Sequence, residues 1–87
     1  MRVALPKPSK PGAGYDKHHV YGAANRKHSE KWGAVVYLPH YTHLYGEFSP
    51  HANADVAREL HEEFQRRFEA AGWTREEFRE TFGRSYL

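Results

Sequence analysis

The last third of the chain shows the clearest repeat of apolar positions. From Val56 to Phe68 an apolar residue recurs at every fourth position, which is the spacing of one buried face on a helix. We therefore predict a helix from residue 53 or 54 to residue 71. A final helix is predicted over 74–82, because Thr74 and Glu77 have the three-residue spacing of a capping box.

The centre of the chain contains the best candidate for a β-strand. Residues 34–38 are all apolar, include two valines and a tyrosine, and lie between Gly33 and Pro39, a pattern typical of a buried strand. A short extended segment that carries the histidine doublet is predicted at 17–21. Residues 25–32 are predicted to form a helix of at most two turns.

Residues 39–50 have no regular apolar repeat. We interpret them as a loop with room for one helical turn, and loops of this kind often carry functional residues. Taken together, the predicted elements describe an α+β protein.

Size and composition limit what can stabilise this fold. The chain has 87 residues, enough for one small domain whose hydrophobic core alone gives thin stability. A bound metal or a partner would therefore help. The chain contains no cysteine, which excludes disulfides and thiolate metal sites. Any metal would need histidine, aspartate, glutamate or asparagine ligands.

Residues 1–14 differ in composition from the rest. They carry three basic residues, no acidic residue, three prolines and two glycines, which predicts a flexible basic leader before a single domain over 15–87. They lack the apolar centre of a signal peptide, and no apolar run reaches the length of a membrane span. We expect a cytoplasmic protein without membrane contact.

Candidate chemistry centres on histidine. Six of the seven histidines lie between His18 and His51, and His18 and His19 are adjacent. A neutral imidazole can bind a divalent metal or take a proton from water near neutral pH. The doublet lies on the first predicted strand, His43 follows the second strand, and His51 precedes the long helix. This order indicates a metal site beside a catalytic base.

The arrangement resembles that of the HNH endonucleases, also called His-Me finger or ββα-metal nucleases, and more closely that of small phage and prophage HNH-like proteins. The resemblance covers residues 16–87. It rests on HHVYGAANRKHSEKWG at 18–33, VVYLP at 35–39, His43, HAN at 51–53 and TREEFRETFGRSYL at 74–87. It implies a small ββα-metal core with a short β-hairpin and added C-terminal helices, in a protein of a bacterial host or prophage.

The resemblance also implies an activity, the metal-dependent hydrolysis of phosphodiester bonds in nucleic acid, expected to be DNA. His19 would be the general base. His18, His43 and His51 would bind one divalent metal ion, which could be Mg, Mn, Ni or Zn.

The gap from His43 to His51 is longer than the spacing of two ligands on one helical turn. His51 must therefore return through the loop to reach the ion. His40 and Asn53 are close to these positions in sequence and are the candidate substitute ligands.

A small basic cluster, formed by Arg26, Lys27 and Lys31, follows the doublet. Charges of this kind bind the phosphate backbone without reading bases, so we interpret the cluster as a nucleic-acid contact. The alternative is a solvated helical face. Nearby His28 is expected to contact phosphate at most, and His61 to be a solvated position of the long helix.

Two other functions fit the sequence. The absence of cysteine and the long gap between His43 and His51 also suit a non-catalytic HNH-like module that binds nucleic acid or a phage protein. Clustered histidines suit a pH-responsive protein whose stability changes between about pH 5 and 7. The aromatic content of 15% is compatible with a homodimer.

Overall fold

The structure, a computed structural model, describes residues 1–47 and 49–87, with the backbone alone for Leu44 and Tyr45. Its elements follow in the order β1 (Tyr15–His19), a 3-10 turn (Ala23–Asn25), α1 (Arg26–Trp32), β2 (Val35–Pro39), α2 (His40–Tyr45), α3 (Ala54–Ala70) and α4 (Arg75–Phe82). The predicted α+β class is confirmed. Within the described ranges, no helix is both long enough and apolar enough to cross a membrane.

The two strands form one antiparallel sheet, and β1 lies two residues earlier than the extended segment predicted at 17–21. The register places His19 opposite Val35, and pairing continues beyond β1, where the Val20 N–H donates to the Ala34 C=O at 2.9 Å. Between the strands, α1 ends at Gly33 in the left-handed conformation with φ of 86°, which glycine adopts without strain. The histidine doublet therefore occupies the last two paired positions of β1.

The core is aromatic and joins the end of β1 to the C-terminal helices. The predicted repeat places Phe64 and Phe68 of α3 inside, and Phe78 and Phe82 of α4 are buried with them. Tyr21, just beyond β1, is also buried, and its ring centroid lies 4.4 Å from that of Phe82. This packing fixes the end of the strand that carries the doublet.

Both C-terminal helices begin with a side-chain cap, and the one at Thr74 was predicted from the sequence. The Asn53 side chain accepts hydrogen bonds from the backbone N–H groups of Asp55 and Val56 at the start of α3. Thr74 and Glu77 form the capping box of α4. The helical turn expected within 39–50 is α2, which follows β2 without an intervening loop.

Residues 1–14 form no helix or strand, but they lie against the domain. The indole N–H of Trp73 donates to the Val3 C=O at 2.8 Å, and the Leu5 N–H donates to the Trp32 C=O at 2.8 Å. Leu5 also packs on the core. A buried indole needs an acceptor for its N–H, and the segment predicted to be a flexible leader supplies it. The start of that segment is therefore part of the packed domain.

Candidate metal centre

Three histidines converge from different parts of the chain. His18 lies on β1, His43 on α2, and His51 in the turn before α3. One ring nitrogen from each lies within 4.8 Å of the others. His18 Nδ1 is 3.3 Å from His43 Nε2, and His43 Nε2 is 2.8 Å from His51 Nε2. The three side chains are close enough to hold a metal ion.

A buried serine explains how His51 reaches the cluster across the long gap. The Ser49 hydroxyl donates to the His43 C=O and accepts from the His51 N–H at 3.2 Å. The Ser49 C=O accepts from the N–H groups of Ala52 and Asn53 at 3.0 and 2.8 Å. These bonds turn the chain back on itself, so that His51 returns to His43. No periodic pattern in the sequence marks this serine.

Two of the three separations are close to those of an ion held by imidazoles, and the third lies within 4.8 Å. In a tetrahedral site with metal–nitrogen bonds of about 2.0–2.1 Å, ligand nitrogens lie about 3.4 Å apart. The separation of His18 and His43 already has this value within 0.1 Å, at 3.3 Å. The 2.8 Å contact between His43 and His51 is a hydrogen bond, in which one ring donates to the other. An ion would replace that proton and open the pair by about half an ångström.

Burial favours the protonation state that binds metal. His18 is only 9% exposed. Its pKa is lowered from 6.5 to about 4, mainly by burial and then by the neighbouring His51 and His43. His18 is therefore neutral at physiological pH, as a metal ligand must be.

Asp16 orients one of the three histidines and was not anticipated from the sequence. Its Oδ2 lies 3.2 Å from His43 Nδ1 and 2.7 Å from His40 Nδ1. The hydrogen bonds with His40, first, and His43 lower the pKa of Asp16. The ionised carboxylate accepts from His43 Nδ1–H, which leaves the lone pair of Nε2 for the cluster. The sequence feature that could have indicated Asp16 is its i, i+2 spacing from His18, which puts both residues on one face of a strand.

The two candidate substitute ligands have other contacts. His40 is exposed and hydrogen-bonds Asp16 at its Nδ1. The Asn53 side-chain oxygen accepts from Asp55 and Val56 at 3.0 and 3.3 Å as the cap of α3. Among the described residues, the group able to hold an ion is His18, His43 and His51.

His19, the predicted base, lies next to this group. It lines a cleft of about 510 Å³ together with the three clustered histidines. Its Nε2 is 2.9 Å from Glu30 Oε2 on α1. An imidazole beside an ion site, with access to the same cleft, can take a proton from water.

Basic side chains reach the same cleft, but they are not all those predicted. Lys17 and Arg26 line it. Lys27 is exposed, and the Lys31 ammonium lies 4.8 Å from the centroid of the Trp32 ring. Lys27 and Lys31 are not among the described residues that line the cleft. The charge facing the cleft therefore comes from β1 and the first residue of α1.

His61 is a half-buried residue of the cleft, so the expectation of a solvated helix position is wrong. Its ring stacks on Tyr21 at 5.3 Å between centroids and lies 4.6 Å from that of Tyr86. Burial lowers its pKa, and a hydrogen bond to the Val20 backbone opposes this. The sequence feature that could have indicated this burial is the position of His61 three residues before Phe64, on the buried face of α3.

Comparisons of the chain with protein-family models, with curated proteins and with solved structures found no significant match.

Proposed function

We propose that this protein is an HNH-like, metal-dependent endonuclease that hydrolyses phosphodiester bonds of nucleic acid. One observation carries the proposal. Three histidines able to hold an ion and a fourth histidine, His19, line one cleft with Lys17 and Arg26. Hydrolysis of a phosphodiester needs a cation for the developing negative charge and a base for the attacking water. The cleft offers side chains for both tasks.

The order of elements supports a ββα-metal core. The first strand carries His18, the antiparallel second strand leads directly into the helix with His43, and His51 precedes α3. Three protein ligands leave further positions on a divalent ion open for a phosphate oxygen or water. The ion would stabilise negative charge on the scissile phosphate and on the leaving oxygen.

The side chains have distinct roles in this proposal. His18, His43 and His51 hold the ion, and Asp16 keeps His43 in the metal-binding tautomer. His19 takes the proton of the attacking water. Lys17 and Arg26 contact phosphates of the bound strand, which positions the backbone without reading its sequence. DNA is the substrate to test first.

Nicking of supercoiled plasmid tests the proposal. The protein is incubated with plasmid and with Mg²⁺, Mn²⁺, Ni²⁺ or Zn²⁺ in turn, alongside His19→Ala and an exposed-histidine control, His28→Ala. We expect relaxed and linear DNA with at least one cation. Loss of His19 should slow cutting by about 10²–10⁴-fold, the range for removal of a general base, and His28→Ala should cut normally. If neither plasmid nor an RNA substrate is cut with any of the cations, the proposal is contradicted. Full activity without His19 would also contradict it.

The position of the cluster favours a second candidate, a non-catalytic module that uses the ion for stability while it binds nucleic acid or a phage protein. The three histidines come from β1, from α2 and from the turn before α3, so an ion would join three parts of a small chain. This candidate predicts a large metal-dependent rise in melting temperature with no cleavage under any cation. Phosphodiester hydrolysis that depends on His19 would exclude it.

A further inference from the structure

Glu30 of α1 divides its two carboxylate oxygens between different partners. Its Oε1 accepts from Lys17 Nζ at 3.0 Å and Lys7 Nζ at 3.5 Å. Its Oε2 lies 2.9 Å from His19 Nε2. The two lysines occupy one oxygen, so the other is directed to the proposed base.

The position of Glu30 is fixed by a buried contact one residue earlier. The Ser29 hydroxyl donates to the Tyr21 C=O at 2.7 Å and accepts from the Tyr21 N–H at 3.0 Å. Ser29 and Tyr21 are both buried. Helix α1 is thereby attached to the chain two residues beyond His19. Glu30 and Arg26 also have the i, i+4 spacing that places them on one helical face, and Arg26 lines the cleft.

The contact determines which nitrogen of His19 can act as a base. The hydrogen bonds from Lys17, first, and from His19 lower the pKa of Glu30 to about 2, so the carboxylate is ionised at neutral pH and can only accept. A neutral His19 must then carry its proton on Nε2. The lone pair is left on Nδ1.

We infer that Glu30 is the positioning residue of His19: its carboxylate holds the imidazole at the cleft as the Nε2–H tautomer, so that Nδ1 is the atom that takes a proton. The role of Glu30 in catalysis rests on the proposed function. The tautomer itself does not depend on any activity. Because the Glu30 side chain is 41% exposed, its ion pairs add little to stability, and its effect is on the orientation of the ring.

The test is the tautomeric state of His19 in the full chain, read from long-range ¹H–¹⁵N correlation spectra at about pH 8, above the ordinary histidine pKa. The wild type should show the Nε2–H form. Glu30→Ala should show a mixture of both tautomers, and Glu30→Gln should keep the Nε2–H form because its amide oxygen can accept. Glu63→Ala, which removes exposed ion pairs with Arg66 and Arg67, is the matched control and should match the wild type. An Nδ1–H tautomer in the wild type, or an unchanged His19 in Glu30→Ala, would overturn the inference.

Kinetics of plasmid nicking supply a second readout. Glu30→Ala should lower kcat by about 10–100-fold, the usual cost of losing the partner that orients a functional histidine, with KM unchanged. Glu30→Gln should recover most of the rate. Equal kcat in Glu30→Ala and wild type would overturn the role in catalysis. A protein that cuts nothing but shows the expected tautomers would contradict the proposed function and leave the position of Glu30 established.

Discussion

Asp16 links two histidines with different roles. It accepts hydrogen bonds from His43, which belongs to the metal cluster, and from His40, which lies outside it. Removing His43 would therefore disturb the metal cluster, whereas removing His40 would not. The carboxylate matters for the ion only through His43.

Asp16→Ala should weaken metal binding by about 10–100-fold, because His43 loses the partner that fixes its tautomer. Titration calorimetry with Zn²⁺ measures the change. His40→Ala is the matched control, since it leaves the contact between Asp16 and His43 in place, and its affinity should stay near that of the wild type. Equal losses in both variants would show that His40 acts as a ligand and would contradict this assignment.

His61 makes stability depend on pH. Its pKa in the folded protein is lowered below 6.5, first by burial and also by Arg84, while its ring contacts Tyr21 and Tyr86. The unfolded chain therefore takes up the proton at a higher pH than the folded one, and stability falls as pH drops below 6.5. The neutral ring stabilises the fold above that pH.

Urea unfolding in the presence of a chelator, at about pH 7.5 and about pH 5.5, on either side of the ordinary histidine pKa, measures this effect. The wild type should lose more unfolding free energy on acidification than His61→Gln does. His18, whose pKa is also lowered, is present in both proteins, so its contribution cancels in the comparison. An identical pH dependence of the two proteins would contradict the contribution of His61.

At the scale of elements, the turn before α3 decides whether the cluster forms. Ser49 folds residues 49–53 back toward His43, and Asn53 then starts the helix. The sequence left open whether His51 or Asn53 completes the cluster, and the structure gives the two residues different contacts. Asn53 is a cap, and His51 faces the other histidines.

Asn53→Ala should lower the free energy of unfolding by about 1 kcal/mol, the usual cost of losing an N-cap. Because the side chain caps α3 and does not face the cluster, zinc affinity should change little. Asn53→Asp keeps a capping oxygen and should retain full stability. Loss of zinc binding in Asn53→Ala with unchanged stability would identify Asn53 as a ligand instead.

The elements differ in how far the sequence could predict them. Helices α3 and α4 depend on local signals, the four-residue repeat and the capping box at Thr74, so both were predicted closely. The return of the chain at Ser49 depends on contacts with His43 that no local pattern encodes. The partnership of Asp16 with His43 likewise depends on α2 following β2 directly, which residues 39–50 did not reveal.

At the scale of the whole molecule, an ion would add a link between β1, α2 and the turn before α3. Its binding energy would add to the stability of a core built largely on aromatic residues from α3 and α4. Stability and metal affinity are therefore linked.

Zinc at a free concentration 100 times Kd should raise the free energy of unfolding by about 2.7 kcal/mol, seen as a higher melting temperature in calorimetry. His43→Ala should lose most of this gain, because His43 is the central member of the cluster. His28→Ala should retain it. A gain that persists without His43 would point to a different site.

A crystal structure of the zinc-loaded protein, with the ion located by its anomalous scattering, tests the central claim most directly. We predict one ion with ring nitrogens of His18, His43 and His51 at about 2.0–2.1 Å, and with His19 outside its coordination shell. An ion bound by His19 or His40, or one located away from these three histidines, would contradict the account.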